Sequence, residues 1–466
     1  MPSSEEDKPP LSSVRAGVRV VILAAGKSTR MKSKVPKVLH ALRGKRLIDH
    51  CIGTAVAATG GKPVVVIGHA ADEMRTAMGD RAAPVFQNHQ LGTGHAAMMA
   101  EPLLAGNTQQ VLVTYADMPL IRPETLQALI EQHAQTRAAV TMLTLIVDNP
   151  RGFGRIVRDA QGRVTAIVEE VACTPAQLQI KELNPGVYCF DGTWLWDALR
   201  RIRPNPVKGE YFLTDLVEIA AADGREVNTT AVTDSDELIG INTRVDLADA
   251  DFALRKRINR RHMLNGVSIV DPATTYIDAD VEIGIDSRIE PNTHVLGTTR
   301  IGEDCVIGPN SILAHATIGN QVRIRQSVIR DSQVDDDADV GPFSHLRNGA
   351  HVCEGAHVGN FGEIKKSRLG KRSKMGHFSY LGDATVGEDA NLGAGMITAN
   401  YDGVDKHATE IGDGAFIGSD TILRAPVRVG DGARTGAGSV VTKNVPDGSL
   451  AVGVPARVIR RGPVNG

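Results

Sequence analysis

The stretch VDDDADVGPFSHLRNGAHVCEGAHVGNFGEI, Val334 to Ile364, decides the architecture of the second half of this chain. Its aliphatic residues fall at Val334, Val340, Leu346, Val352, Val358 and Ile364, a six-residue period that is neither helical nor a simple strand period. Such a period suits a solenoid in which three short strands make one coil. Each repeat sends one aliphatic side chain into a thin core and turns the corner on a small residue. The spacing returns at Ile411, Ile417, Leu423 and Val429, several of them followed by glycine. An aromatic content of 4% fits, because a narrow interior takes Val, Ile, Leu and Ala more easily than rings. The competing reading, a β-sandwich with chance spacing, would not place a turn every six residues for so long. The period breaks in ITANYDGVDKHATEIG, Ile397 to Gly412, so a loop is expected to leave the coil there, either to form a site or as a tolerated surface insertion.

Upstream the pattern is different. Short apolar runs, VRVVILAAG, KPVVVIGH and QVLVTYADMPLI, alternate with amphipathic stretches such as RLIDHCIGTAVAA. That alternation implies βαβ units and a mainly parallel sheet covered by helices. Between about Val245 and Asn265, Leu247, Leu254 and Ile258 can share one face of a charged helix, which reads as a connection. The expected organisation is a tail over 1–16, an α/β domain over 17–246, a linker helix over 247–266 and the repeat domain over 267–466.

The chain of 466 residues is too long for one ordinary core, and 42% hydrophobic with 23% charged residues places it among globular proteins. A net charge of -2 gives no global pull toward nucleic acid or an anionic membrane, so anionic partners should be small and their sites local. Five cysteines, Cys51, Cys173, Cys189, Cys305 and Cys353, are an odd set with no CxxC or evident Cys/His cluster, which argues against a disulfide frame and against a zinc site and fits a reducing cytoplasm. The opening MPSSEEDKPPLSS lacks the basic start and apolar run of a signal peptide and reads as a disordered tail, and no later run reaches membrane-spanning length.

The loop LAAGKSTRMKSKVPKVLH, Leu23 to His40, follows the first apolar run. Its amides can approach an anion, while Lys27, Arg30 and Lys37 supply charge, so by chemistry alone it is a phosphate or nucleotide cradle. A solvated basic loop is the blander alternative. The order LAAGxGTRM followed by PK resembles the signature of the sugar-phosphate nucleotidyltransferases, with Ser28 where a second glycine is usual. FQNHQLGTGHA, VTYADMPLI, GFGRIV, IVEE, LNPGVY, GEYFLTD and GINTR then follow in the order and rough spacing of one enzyme family. They resemble the bacterial bifunctional N-acetylglucosamine-1-phosphate uridylyltransferases and glucosamine-1-phosphate N-acetyltransferases, over nearly the whole chain after the tail.

The resemblance implies a Rossmann-like nucleotidyltransferase domain and a left-handed parallel β-helix of hexapeptide repeats. In uridylyl transfer the sugar phosphate attacks the α-phosphorus of UTP and pyrophosphate leaves, so charge must be neutralised on both sides. By resemblance Asp117 and Asn242 hold Mg²⁺, and Arg30 and Lys37 steady the triphosphate, with Lys27 a weaker candidate. Leu23, Ala24, Ala25, Gly26, Tyr115 and Ala116 frame the nucleotide, Ala116 standing where glycine is common. Gln87, Gly92 and Thr93 match positions that recognise uracil, and Gly154, Glu169 and Asn184 match the N-acetylglucosamine pocket.

In the repeat half the resemblance makes His377 the base that deprotonates the amine attacking acetyl-CoA, a task suited to a histidine. Glu363 orients it. Arg347 and Lys365 bind the sugar phosphate, and Tyr380, Asn391 and Asn400 position the sugar. Acetyl-CoA runs along Ala394, Asn400, Tyr401, Ser419 and Ala437. A family arginine near the last coil has no match at Val454, which leaves that contact open among Arg457, Arg460 and Arg461. The family also implies a homotrimer, with UDP-N-acetylglucosamine, a precursor of cell-envelope polymers, as product. Two alternatives stand beside this reading: a nucleotidyltransferase whose β-helix only assembles or regulates, and a non-catalytic scaffold. The polar residues grafted onto the repeat argue against the first, and retention of Arg30, Lys37, Asp117 and Asn242 argues against the second.

Overall fold

The computed structural model describes residues 17–26, 29–148, 152–206 and 208–460. The tail, Lys27, Ser28 and Arg461 lie outside the described residues. The chain divides into two compact units, Met1–Ala253 and Leu254–Gly466.

The first unit is built on a sheet of order Ala83–Phe86, Val64–Ile67, Val18–Leu23, Gln110–Tyr115, Tyr188–Asp191, Val140–Ile146, Glu182–Asn184, Gly154–Arg158, Val164–Val168, with Val227–Ala231 also pairing Val140–Ile146. The strand VRVVIL is apolar on both faces because helices cover both: Val21 and Leu23 pack into one core, and Val20 and Ile22 into the other. Its neighbours Val64–Ile67 and Gln110–Tyr115 run parallel to it, so the chain winds away from it in both directions and the loops after Leu23 and Tyr115 emerge side by side. Beyond Val140 the added strands are mixed. Tyr188–Asp191 runs antiparallel to both neighbours, and Gly154–Arg158 forms a hairpin with Val164–Val168.

Helix Arg244–Leu264 starts on a reciprocal cap, in which Thr243 N donates to Asp246 Oδ2 and Asp246 N donates back to Thr243 Oγ1. Leu254 and Ile258 are buried and Leu247 is half-buried.

The second unit is a parallel β-helix of three sheets with twelve, ten and nine strands, each hydrogen-bonded to its counterpart one coil away except the last, Ala456–Arg460, which pairs antiparallel with Leu450–Gly453. The six-residue period is its inward row. Val334, Val340, Leu346, Val352, Val358 and Ile364 are each at most 1% exposed, and Ile411, Ile417, Leu423 and Val429 at most 3%. Each coil therefore stacks like on like, as in Leu346 over Ile364 over Leu381. The coil is interrupted between strands Ile397–Ala399 and Thr409–Ile411, where residues 400–408 loop outward.

Candidate active sites of the two units

In the first unit a cleft of about 680 Å³ opens at the C-terminal ends of the parallel strands. Leu23, Ala24, Ala25 and Gly26 form one wall, with Ala24 N donating to Val66 O at 2.9 Å. Ala116 lies buried beneath, its amide donating to Leu23 O at 3.0 Å. Arg30, Lys37 and Asp117 face the cleft.

Lys37 Nζ lies 2.6 Å from Asp117 Oδ2 and 3.2 Å from Asn242 Oδ1, and Arg30 donates to the same Asn242 oxygen at 2.8 Å. Asn242 reaches this point because Ile241 N donates to Asp117 O at 2.8 Å and the helix cap at Thr243 fixes the turn. Four of the expected residues thus form one network of two cations and two oxygen ligands.

Gln87, Gly92 and Thr93 are brought together on the opposite wall. Gln87 Nε2 donates to Gly92 O at 3.1 Å, and its amide N is held by Ile67 O at 2.8 Å. Gly92 has φ +100°, and a Cβ there would lie 2.5 Å from Tyr211 O, so close approach of the GEYFLTD segment requires glycine. Thr93 Oγ1 accepts from Leu213 N at 3.0 Å. Tyr115 is hydrogen-bonded to Thr93, and burial holds its phenol well above the usual range.

Gly154, Glu169 and Asn184 also lie close together. Asn184 pairs in register with Gly154, which leads the strand that pairs with Val164–Val168, and a Cβ on Gly154 would lie 3.7 Å from Glu169 Oε1. Asn184 Nδ2 donates to Tyr188 Oη at 2.7 Å. Burial raises the Glu169 carboxyl, partly offset by Lys208. Asp215, unremarked as a site residue in the sequence, is pushed up to about 6 by burial and then by Glu218 and Glu169.

In the second unit, strand pairing stacks Arg347 over Lys365 over Gly382, and Glu363 over Tyr380. A Cβ at Gly382 would overlap Tyr380 Oη, so the glycine leaves room for the phenol above Lys365. Glu363 is paired with Arg347, whose Nε and Nη2 lie 2.8 and 2.7 Å from Glu363 Oε1. Among the described residues no hydrogen bond joins Glu363 to His377, so the expected orienting contact gives way to one that holds the arginine.

His377 is exposed at a coil corner. Lys374 and Met375 pair with Asn391 and Leu392, and Gly395 N donates to Phe378 O at 2.8 Å, which sets His377 one coil before Ala394. Asp420 N donates to Ala394 O at 2.6 Å and Gly438 N to Ser419 O at 2.8 Å. His377, Ala394, Ser419 and Ala437 therefore climb a single edge, the last three small enough to leave a shallow track. Asn400 is buried and donates to Asp383 Oδ2 at 2.6 Å, while Tyr401 stands 59% exposed on the outward loop. Arg457 and Arg460 are exposed on the terminal strand Ala456–Arg460.

Comparison with known proteins agrees with this architecture. Residues 20–159 match the MobA-like NTP transferase domain, and residues 280–315 and 408–443 match the bacterial transferase hexapeptide (six repeats). The chain is 47% identical over 432 residues to "Bifunctional protein GlmU" of Geobacillus sp. (strain WCH70), covering 93% of this chain and 94% of that one. It is 49% identical to the protein of that name from Heliobacterium modesticaldum, again at 93% and 94% coverage, and 45% identical to that of Streptococcus agalactiae serotype V, at 96% and 97%. The chain belongs to the bifunctional GlmU family.

As a GlmU-family protein it has a left-handed β-helix of hexapeptide repeats as its second unit. Sequence reasoning passed over Lys406 on its outward loop. The Lys365 amine beside Lys406 pushes the Lys406 pKa below its ordinary value, with Asp383 and Tyr380 opposing. Lys406 thus joins Lys365, Tyr380 and Asp383 in one cluster on the second unit. The signal was present in the sequence, since Lys406 sits within the break in the repeat. Gln90, Glu210 and Phe212 also line the cleft of the first unit; they lie within FQNHQLGTGHA and GEYFLTD, although neither motif singled them out.

Proposed function

We infer that the two units carry out two transfers at separate sites. The protein is a bifunctional enzyme of UDP-N-acetylglucosamine synthesis: it transfers acetyl from acetyl-CoA to glucosamine 1-phosphate, and uridylyl from UTP to N-acetylglucosamine 1-phosphate with release of pyrophosphate. The observation that carries this reading onto the chain's own residues is the meeting of Arg30, Lys37, Asp117 and Asn242 at one cleft in a unit whose partner unit bears a separate cationic site around Lys365.

Asp117 and Asn242 would hold a magnesium ion. They fit it because their oxygens already converge on one cationic atom, Lys37 Nζ, and a carboxylate with an amide carbonyl is a hard donor pair. Bound there, the ion would neutralise phosphate charge. Arg30 and Lys37 supply further neutralisation, Gln87 and Gly92 read the base, and Glu169, Asn184 and Gly154 cradle the sugar.

In the second unit His377 takes the proton from the attacking amine, Arg347 and Lys365 hold the sugar phosphate with Lys406 beside them, and Tyr380 and Asn391 orient the ring. The thioester lies along the Ala394–Ser419–Ala437 edge. We place the protein in the cytoplasm. We also propose that it works as a homotrimer. Phe343 and Phe361, on consecutive coils, stack at 5.3 Å while 54% and 59% exposed, and Phe378 on the next coil is 57% exposed. Such an aromatic row is better covered by another copy than by water. Incubation with glucosamine 1-phosphate and acetyl-CoA, then UTP, tests the assignment: thiol release followed by pyrophosphate is expected, and pyrophosphate without thiol would reduce the β-helix to a scaffold.

A further inference from the structure

Among the described residues one group of metal-ligating side chains stands apart from both sites. Asp335, His351 and Cys353 each offer a ligand atom, all within 4.8 Å of one another. The coil geometry creates the group. Gln333 and Val334 pair in register with His351 and Val352, so Asp335 and Cys353 follow at equivalent corners of consecutive coils. Asp335 N donates to Val352 O at 2.8 Å and Cys353 N to Leu369 O at 3.0 Å, which fixes both.

His351 Nε2 lies 2.8 Å from Asp335 Oδ2 and 3.8 Å from Cys353 Sγ. Gln333 Nε2 donates to the other carboxylate oxygen at 2.7 Å, turning Oδ2 toward the imidazole. Cys353 is buried, while the His351 and Asp335 side chains are 31% and 30% exposed, so a cation can enter from solvent.

A surface His–Asp pair has an ordinary structural reading, and this unit contains one: His357 Nδ1 lies 3.0 Å from Asp339 Oδ2. There the residue two beyond the histidine is Gly359, whereas beyond His351 it is Cys353. The sulfur separates the two cases. We propose that Asp335, His351 and Cys353 bind one thiophilic divalent cation of the zinc type, with solvent completing a tetrahedral shell. A mixed sulfur, nitrogen and oxygen donor set selects such an ion over magnesium, which prefers all-oxygen octahedra. Since the ligands come from two consecutive coils, the ion ties one coil to the next.

Cobalt(II) is the probe, added to the full chain under reducing conditions. One equivalent per chain should give a sulfur-to-cobalt charge-transfer band with the visible bands of tetrahedral cobalt, displaced by Zn²⁺. Cys353→Ser should abolish the charge-transfer band, Cys173→Ser should leave it, and His351→Gln should weaken binding at least about ten-fold. Retained acetyl transfer in each variant reports folding. Should Cys353→Ser not fold, the surface variant His351→Gln decides by the same loss of affinity. Absence of the band in the wild type at saturating cobalt, survival of the band in Cys353→Ser, or unchanged affinity in His351→Gln would overturn the proposal.

Discussion

Lys37 Nζ and Asp117 Oδ2 lie 2.6 Å apart at the mouth of the nucleotide cleft, and the same ammonium lies 3.2 Å from Asn242 Oδ1. The side chains are 11% and 25% exposed, so the pair is partly shielded from solvent. A cation thus occupies the point where two oxygen ligands converge, and the lysine keeps the carboxylate compensated.

The first prediction is that Asp117→Asn lowers uridylyl transfer by on the order of 100-fold or more, because the carboxylate that would hold the charge-neutralising cation is lost. Acetyl transfer should be unchanged. Pyrophosphate and thiol release measured on the same preparation check this, and equal loss of both in a folded protein would contradict the two-site reading.

His377 makes the converse prediction. General-base catalysis contributes about 100-fold to 10,000-fold. His377→Ala should therefore suppress thiol release by at least about 100-fold while pyrophosphate release persists. Because Glu363 is engaged by Arg347 at 2.7 Å rather than by His377, Glu363→Gln should act mainly through the arginine. Its effect should appear in KM for glucosamine 1-phosphate, and a fall confined to kcat would restore the carboxylate to an imidazole-orienting role.

What could be read from sequence followed from what repeats. The inward row from Val334 to Ile364 shows because every coil needs one aliphatic residue at the same place, and the site loops of the first unit show because small residues and cations follow an apolar strand. Contacts across coils do not show. Arg347 meets Glu363 only through strand register, and Lys365 meets Lys406 only because an irregular loop folds back. The antiparallel placement of Tyr188–Asp191 was equally hidden, since a strand buried on both faces reads the same in either direction.

Lys406 offers a third test. The neighbouring Lys365 amine holds the Lys406 pKa below its ordinary value, so under the proposed reading both amines would face the sugar phosphate. Lys406→Gln should raise KM for glucosamine 1-phosphate several-fold with a smaller change in kcat, and should weaken the salt dependence of that KM. An unchanged KM across salt concentrations would remove Lys406 from the phosphate site.

Gly382 tests the phenol above Lys365. A Cβ there would overlap Tyr380 Oη, and because the overlap is with the tip of a side chain the ring can swing away while the coil survives. Gly382→Ala should reduce acetyl transfer as far as Tyr380→Phe does, with thermal stability of the β-helix nearly unchanged. Full acetyl transfer in Gly382→Ala would show that the hydroxyl position is irrelevant.

The last prediction concerns stability of the first unit against pH. The Asp215 carboxyl moves from its ordinary 3.8 to about 6, chiefly by burial and then by repulsion from Glu218 and Glu169. The folded state therefore holds this proton more tightly than the unfolded chain does. Stability at this group is present below the unfolded pKa, falls as pH rises through the window from about 4 to about 6, and is lost above it. Asp215→Asn removes the charge whose burial is unfavourable. The variant should resist urea better than wild type at pH 8, and the advantage should shrink toward zero near pH 4. Glu169, raised by burial in the same way, should leave a residual slope in the variant. The chain's two tryptophans, Trp194 and Trp196, both lie in the first unit, so their fluorescence reads its unfolding without interference from the β-helix. A midpoint difference that does not change between pH 4 and pH 8 would mean that Asp215 does not couple folding to protons.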